Sequence, residues 1–370
     1  MSNLRFLRFT LVALVAFYLI TSAAQAGNII DTENRQVSVP DHPQRVLLGF
    51  YFEDFYAIVG PGAYDRVVAI SRDTWAGWRP SQWARYVAVT PRLEQLIDVG
   101  EADSGTFNIE AAIASRPDVA LLAAWQFRSL GESVNKLEAA GVPVVVVDFN
   151  AQTLQKHEQS TLIIGQLMGA EARAKQLVDE YKAAFNDVLA RVEASTEAAG
   201  SKNVYVELGN KGADTYGNSY GNTMWGKTVE LAGGRNIAKG KIENWGPLNP
   251  EYVIASNPDL IIVAGSAWLN RPKAVLAGFD VKAETTRARL YPYTLRPAWP
   301  GLSAVKNGEV HAVYHGGART LYDYVFLQYI AKRLHPEAFA DVDPLAAHRR
   351  FYAKYLPIEV EGTFMFQLAD

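Results

Sequence analysis

Apolar residues along this chain fall into two patterns. Short unbroken runs, in "QRVLLGF" (44–50), "VALLAA" (119–124), "VPVVVVDF" (142–149), "VYVEL" (204–208), "LIIVAG" (260–265) and "EVHAVY" (309–314), predict buried parallel strands, because a strand covered on both faces has no polar side to alternate with. Between them, stretches such as "EDFYAIVG" (53–60) and "GESVNKLEAAG" (131–141) predict amphipathic helices. One unit occurs twice. "NIEAAIASRPDVALLA" from Asn108 and "NPEYVIASNPDLIIVA" from Asn249 agree at eight of sixteen positions. In each, an asparagine suits a helix N-cap, Glu110 or Glu251 falls in the first turn, and Pro117 or Pro258 ends the helix ahead of an apolar strand. A helix feeding a strand is the building piece of a doubly wound α/β domain, and two copies imply two lobes.

Between the halves, residues 154–195 follow a helical pattern without proline. As one helix they would span about 60 Å at 1.5 Å per residue, a stiff spine between lobes; the alternative is two helices broken near Gly165 or Gly169. The first residues set the compartment. Arg5 and Arg8, an apolar run from Phe9 to Ile20, and small residues at Ala24 and Ala26 describe a secretory signal peptide cleaved after Ala26. That run is too short for a bilayer, which needs ~20 residues. The expected division is 1–26 signal peptide, 27–153 first lobe, 154–196 linking helix and 197–370 second lobe.

Composition narrows the function. With no cysteine there can be no disulfide, no thiolate metal site, no cysteine nucleophile and no lipid anchored on an N-terminal cysteine. The 36 Lys and Arg against 39 Asp and Glu, fewer still after loss of Arg5 and Arg8, argue against nucleic-acid binding. A freely diffusing periplasmic monomer is the expectation.

Eight tryptophans and 18 tyrosines exceed what cores of this size require, and they concentrate with glycine and arginine just after the strands. Ligands of open α/β sheets bind outside the carboxyl ends of strands, so these loops are expected to face one cleft. Trp75, Trp125, Trp268, Tyr216 and Tyr220 supply flat surface there, with Trp78 and Trp299 nearby. Arg128, Arg271, Arg296 and Arg319, together with Arg72 and Arg79, supply cations that pair with carboxylate or catecholate oxygens and stack on rings. Tyr314 and His315 are candidates to complete the coordination of a chelated metal. "GNSYG" (217–221) matches the nucleophile elbow of serine hydrolases, but ten residues separate Ser219 from the preceding strand, where the elbow needs a sharp strand-to-helix turn.

The repeated N-x-E helix with P-D-[VL] and a strand, "DHPQRVLLG" (41–49), "TVELAGGRNIA" (228–238), "LSAVKNGEVHAVY" (302–314) and the closing "FYAKYLPIEVEGTF" (351–364) together resemble the substrate-binding proteins of ABC importers for iron chelates, haem and cobalamin. The resemblance implies two Rossmann-like α/β lobes joined by a single long rigid helix, no catalysis and no resident cofactor. It implies a metal chelate as transported ligand, best a ferric (Fe3+) siderophore, with haem, cobalamin or a nickel chelate as alternatives. The partners implied are a dimeric ABC permease with its ATPase subunits, docked by Glu110 and Glu251, one on each lobe.

Overall fold

The computed structural model describes residues 26–199 and 201–369, so the expected signal peptide falls outside it except for the backbone of Ala26. The first lobe is built on a five-stranded parallel sheet in the order Ile97–Asp98, Val67–Ile70, Val46–Leu48, Val119–Ala123, Val144–Val147. Strands Val46–Leu48, Val119–Ala123 and Val144–Val147 are buried along their whole length, which is why their sequences show no alternation. The second lobe orders Arg235–Asn236, Asn203–Leu208, Leu260–Gly265 and Val310–Tyr314 in parallel and closes with antiparallel Met365–Gln367. Strand order therefore reverses between Val46–Leu48 and Val119–Ala123 in the first sheet, and between Asn203–Leu208 and Leu260–Gly265 in the second. Those are the topological switch points where a crevice opens.

The repeated unit folds as its pattern predicts. Asn108 Oδ1 accepts from Ala111 N–H at the head of helix Ile109–Ala114, and Asn249 Oδ1 accepts from Glu251 N–H at the head of Pro250–Ala255.

The linker differs from the uninterrupted helix expected over 154–196. It is two helices, Leu154–Met168 and Glu171–Ala199, separated where Gly169 turns left-handed (φ 69°). They fold back on each other: a Cβ on Gly165 would come within 2.4 Å of Ala174 Cβ, so glycine sets the close approach, and Lys182 pairs with Glu158 at 3.0 Å. Only the second helix joins the lobes, about 43 Å long at 1.5 Å per residue. Arg173 binds both lobes from it, donating through Nε to Ala57 O (2.6 Å) and through Nη2 to Tyr355 O (3.3 Å).

The seam between lobes is polar and satisfied. Glu53, fully enclosed, accepts from Tyr86 and Gln82 of its own lobe and from Tyr322 and Tyr352 of the other, all at 2.7–2.9 Å. Beside it Asp54 accepts from Leu321 N–H at 2.7 Å. Burial raises both carboxyls, Asp54 to about 8. Asp323 accepts from His157 Nε2 (2.9 Å) and Tyr181 Oη (3.0 Å), tying the second lobe to both linker helices. Among the described residues no helix is long and apolar enough to cross a membrane.

Candidate ligand-binding site

The first switch point places Phe50 two residues past the end of strand Val46–Leu48 and Trp125 two residues past the end of Val119–Ala123. Their rings meet edge to face at 5.3 Å, and Trp78 stacks on Trp125 at 6.1 Å. From the second lobe, strand Val310–Tyr314 runs into "HGGAR", which brings Arg319 to this aromatic wall and sets His315 against the rings of Tyr220 and Trp268. The two glycines are required there. A Cβ on Gly316 would strike the Tyr314 ring at 2.4 Å, and one on Gly317 would strike Phe326 at 2.0 Å.

Two guanidiniums share the wall. Arg79 lies 5.4 Å and Arg319 5.0 Å from the Phe50 ring centre, and Arg319 also lies 5.8 Å from that of Trp78. Both side chains are buried, yet among the described residues neither forms an ion pair with a carboxylate. Arg79 Nη2, Arg319 Nε, Trp125 Nε1 and the Tyr314 hydroxyl are all buried without a partner. Burial, reinforced by the neighbouring Arg79 charge, pulls the Arg319 guanidinium down to about 10. Orphan donors of this kind are rare in native interiors, because each costs about 1–3 kcal/mol. Four in one place mark a surface shaped for an acceptor supplied from outside.

His315 follows the same logic. Its Nδ1 accepts from the Trp225 indole N–H at 3.2 Å, with Tyr220 Oη at 3.5 Å. An indole only donates, so Nδ1 is the acceptor and a neutral ring carries its proton on Nε2. Burial first, then the charges of Arg319 and Arg79, hold the imidazole well below its usual range, in that neutral state. The expectation that His315 completes a metal's coordination fails on this geometry: one nitrogen is occupied and the other bears hydrogen. Burial raises the Tyr314 hydroxyl, which stays protonated while no metal is bound. No cluster of three or more His, Cys, Asp or Glu poised for a metal occurs among the described residues.

The other expected residues divide. Tyr220 and Trp268 join the site, the latter with its ring 5.9 Å from His315. Trp75 does not: it is sealed in the first core, stacked on Phe52 at 4.5 Å, and its N–H donates to Gln82. Arg296 does not either. It forms a bidentate pair with buried Glu207 (2.6 and 2.9 Å), donates to the carbonyls of Ala213 and Thr215, and is enclosed by the rings of Tyr216, Tyr293 and Trp299. Tyr216 belongs to that cluster, accepting from Trp299 Nε1 at 2.7 Å. Arg128 is exposed at the outer edge of the first lobe, paired with Glu33, and Arg271 is exposed on a loop. Arg72 serves the carbonyls of Glu94 and Leu96.

Arg79 was among the loop arginines and proves central; Phe50 was missed, although its place right after the first strand of a doubly wound sheet was a usable signal. Ser219 of "GNSYG" is buried inside strand Asn218–Tyr220, and its hydroxyl meets no base. Glu110 and Glu251 are exposed on their caps.

The site is closed by contacts across the seam. Ser266 Oγ donates to Trp78 O (3.0 Å), Leu269 N–H to Gly77 O (3.2 Å), Thr223 Oγ1 to Asn150 O (2.8 Å), and Gln152 Nε2 to Ala318 O.

Residues 46–314 match the family model described as periplasmic binding protein. The molybdate-binding protein MolA of Haemophilus influenzae is 23% identical over 94% of this chain and 96% of its own. A vitamin B12-binding protein of Salmonella typhimurium is 27% identical over 52% of this chain and 67% of its own. Among solved structures, the TroA-like periplasmic binding protein FepB from Veillonella parvula superposes with a TM-score of 0.83 at 30% identity, covering 92% of this chain and 99% of that one.

Proposed function

The chain belongs to the periplasmic binding protein family, and on that premise we propose that it captures an anionic metal chelate, a ferric siderophore in the first instance, between its lobes and delivers it to an ABC importer. It is a binding protein and not an enzyme, in keeping with its relatives. The observation that carries the ligand reading is the pair of buried guanidiniums, Arg79 and Arg319, with no carboxylate in ion-pair contact among the described residues and with aromatic rings around them. Each buried cation keeps a donor nitrogen unpaired, Arg79 Nη2 and Arg319 Nε, an arrangement that an incoming anion relieves. Flat aromatic walls favour a ligand with unsaturated faces. The His315 nitrogen that faces Trp225 is occupied and the Tyr314 hydroxyl is protonated by burial, which supports a metal that arrives with its coordination complete. Glu110 and Glu251, one on each lobe, are proposed to meet the two halves of the permease.

A second reading, a compact oxyanion, is favoured by one observation: the four unpaired groups, Arg79 Nη2, Arg319 Nε, Trp125 Nε1 and the Tyr314 hydroxyl, can all donate, which suits tetrahedral oxygen as well as catecholate, and MolA, a relative across nearly the whole chain, is named for molybdate. Titration of the purified protein, followed by tryptophan fluorescence, separates these. Ferric tris-catecholate should quench saturably, a cationic ferric hydroxamate should not, and molybdate in competition reports the second reading. Equal binding of cationic and anionic chelates would overturn the anion box. Tyr314→Phe and His315→Ala should leave the visible band of a bound ferric complex in place.

A further inference from the structure

A second observation concerns the mouth of this box. Trp245 lies on the two-stranded ribbon of Trp245–Pro247 against Asn218–Tyr220, directly opposite Tyr220. Directly paired residues on neighbouring strands stand on the same face. Tyr220 is buried with its hydroxyl on His315, so Trp245 stands on the face that looks toward the site, yet it is 57% exposed. On the other flank of His315, Trp268 approaches the imidazole, and the next residue, Leu269, is also 57% exposed. An exposed indole paired with one ring that touches His315, and an exposed isobutyl group next in sequence to the other, come from two unrelated segments and are not accounted for by either core.

We propose that Trp245 and Leu269 form an outer apolar subsite, which receives the aromatic or aliphatic periphery of a ligand whose charged centre sits between Arg79 and Arg319. The inference rests on the anion-box reading and deepens it. It makes the ligand larger than the enclosed box, with an apolar rim projecting past the contact of Leu269 N–H with Gly77 O. A compact oxyanion would leave both side chains idle. The loop contact that carries Leu269 is a single 3.2 Å hydrogen bond between lobes, which leaves that side chain free to settle on a ligand that has already entered.

The test compares two probes on three proteins. Wild type, Trp245→Ala and Leu269→Ser are titrated with ferric enterobactin-type tris-catecholate, which has a broad aryl periphery, and with molybdate, which has none. The Ala variant is expected to bind the aryl chelate about tenfold more weakly, the Ser variant more weakly by less, and Trp245→Phe to recover most of the loss. Molybdate affinity, where wild type has any, is expected to be the same in all. Both side chains are exposed, and unchanged thermal unfolding checks that the variants are folded. If wild type binds no anionic chelate, the anion box itself fails. If wild type binds and Trp245→Ala binds equally well, the box stands and the outer subsite is overturned. Intact binding with lost transport in Trp245→Ala overturns it too, and assigns the indole to the permease contact.

Discussion

Arg296 and Arg319 come from loops of the same description, rich in aromatics and placed after a strand, and the structure uses them in opposite ways. Arg296 is buried with a carboxylate in front of it, three carbonyl contacts around it and three rings enclosing it. Arg319 is buried with no carboxylate in ion-pair contact, its one hydrogen-bond partner among the described residues being Met224 Sδ at 4.0 Å, and with another guanidinium nearby. A cation whose every donor is used holds the fold. One whose donors face an empty acceptor position is held by the fold for something else. The difference lies in the partner, and partners are distant in sequence: Glu207 is 89 positions from Arg296.

The largest effect should come from breaking the paired region. Arg296→Ala strands the Glu207 carboxylate, which still accepts from Gly217 N–H and Tyr205 Oη but has lost its counter-charge. Removing one partner of a buried pair costs about 3–5 kcal/mol. The urea midpoint is expected to fall accordingly, and the double change Arg296→Met with Glu207→Gln to recover part of it. An Arg296→Ala protein as stable as wild type but unable to bind chelate would reverse the assignment of the two arginines.

Arg319→Ala should show the converse. Loss of a charged hydrogen-bonding partner is worth about 1.5–3 kcal/mol, ten- to hundredfold in affinity for an anionic chelate. Folding should be unimpaired or improved, because an unneutralised buried charge is removed. Calorimetry and unfolding on the same sample check both halves. Arg319→Lys keeps the charge without the fork and should fall between.

Much of this organisation was legible in the chain. The strands, the two capped repeats and the two-lobe plan all follow from period and punctuation, which are local. The linker break was legible as the alternative to one helix, because Gly169 inside a helical pattern is tolerated in many helices and is decisive here through packing of Gly165 on Ala174, a contact made by folding back. Trp75 and Trp78 sit three residues apart and go to core and site respectively, a distinction made by Phe52 and Gln82 and invisible to composition. One cue was overlooked. A glutamate in the middle of the apolar run "VYVEL" announces a buried carboxylate in need of a cation, and Arg296 was available.

Histidines extend the same comparison to pH. His157 is paired with Asp323, and although burial opposes the charge, that carboxylate raises the imidazole above its usual range. His348, ringed by Tyr322, Tyr352 and Phe364, has two buried nitrogens without partners, and burial drives it down to about 3. Its native form refuses a proton that the unfolded chain accepts near 6.5. The contribution is therefore complete above pH ~6.5 and is lost progressively as pH falls toward about 3. Between pH 8 and pH 5 this amounts to about 2 kcal/mol. His348→Phe should remove that part of the slope, seen as the difference between the two unfolding curves across pH. Parallel curves would mean that His348 finds a partner in solution.

Glu110 and Glu251 provide the third case, charges without partners that remain in water. Both are exposed in the first turn of short capped helices, and no ion pair holds either among the described residues. A hydrated carboxylate near a helix N-terminus contributes only ~0.3–1 kcal/mol, so Glu110→Ala with Glu251→Ala should unfold almost as wild type does. Chelate affinity should also be unchanged, since neither residue approaches Arg79 or Arg319. If the pair docks the importer, transport in reconstituted vesicles should fall in each single variant and further in the double. The wild-type rate should decline with ionic strength while the double variant's stays flat, because surface charge pairs act mainly on encounter and are screened by salt. A double variant that transports at the wild-type rate at every salt concentration would reduce the two glutamates to helix-end charges. In that outcome the duplicated unit would reflect the shared construction of the lobes alone, and an unpartnered charge would point to a missing partner only where water cannot reach it.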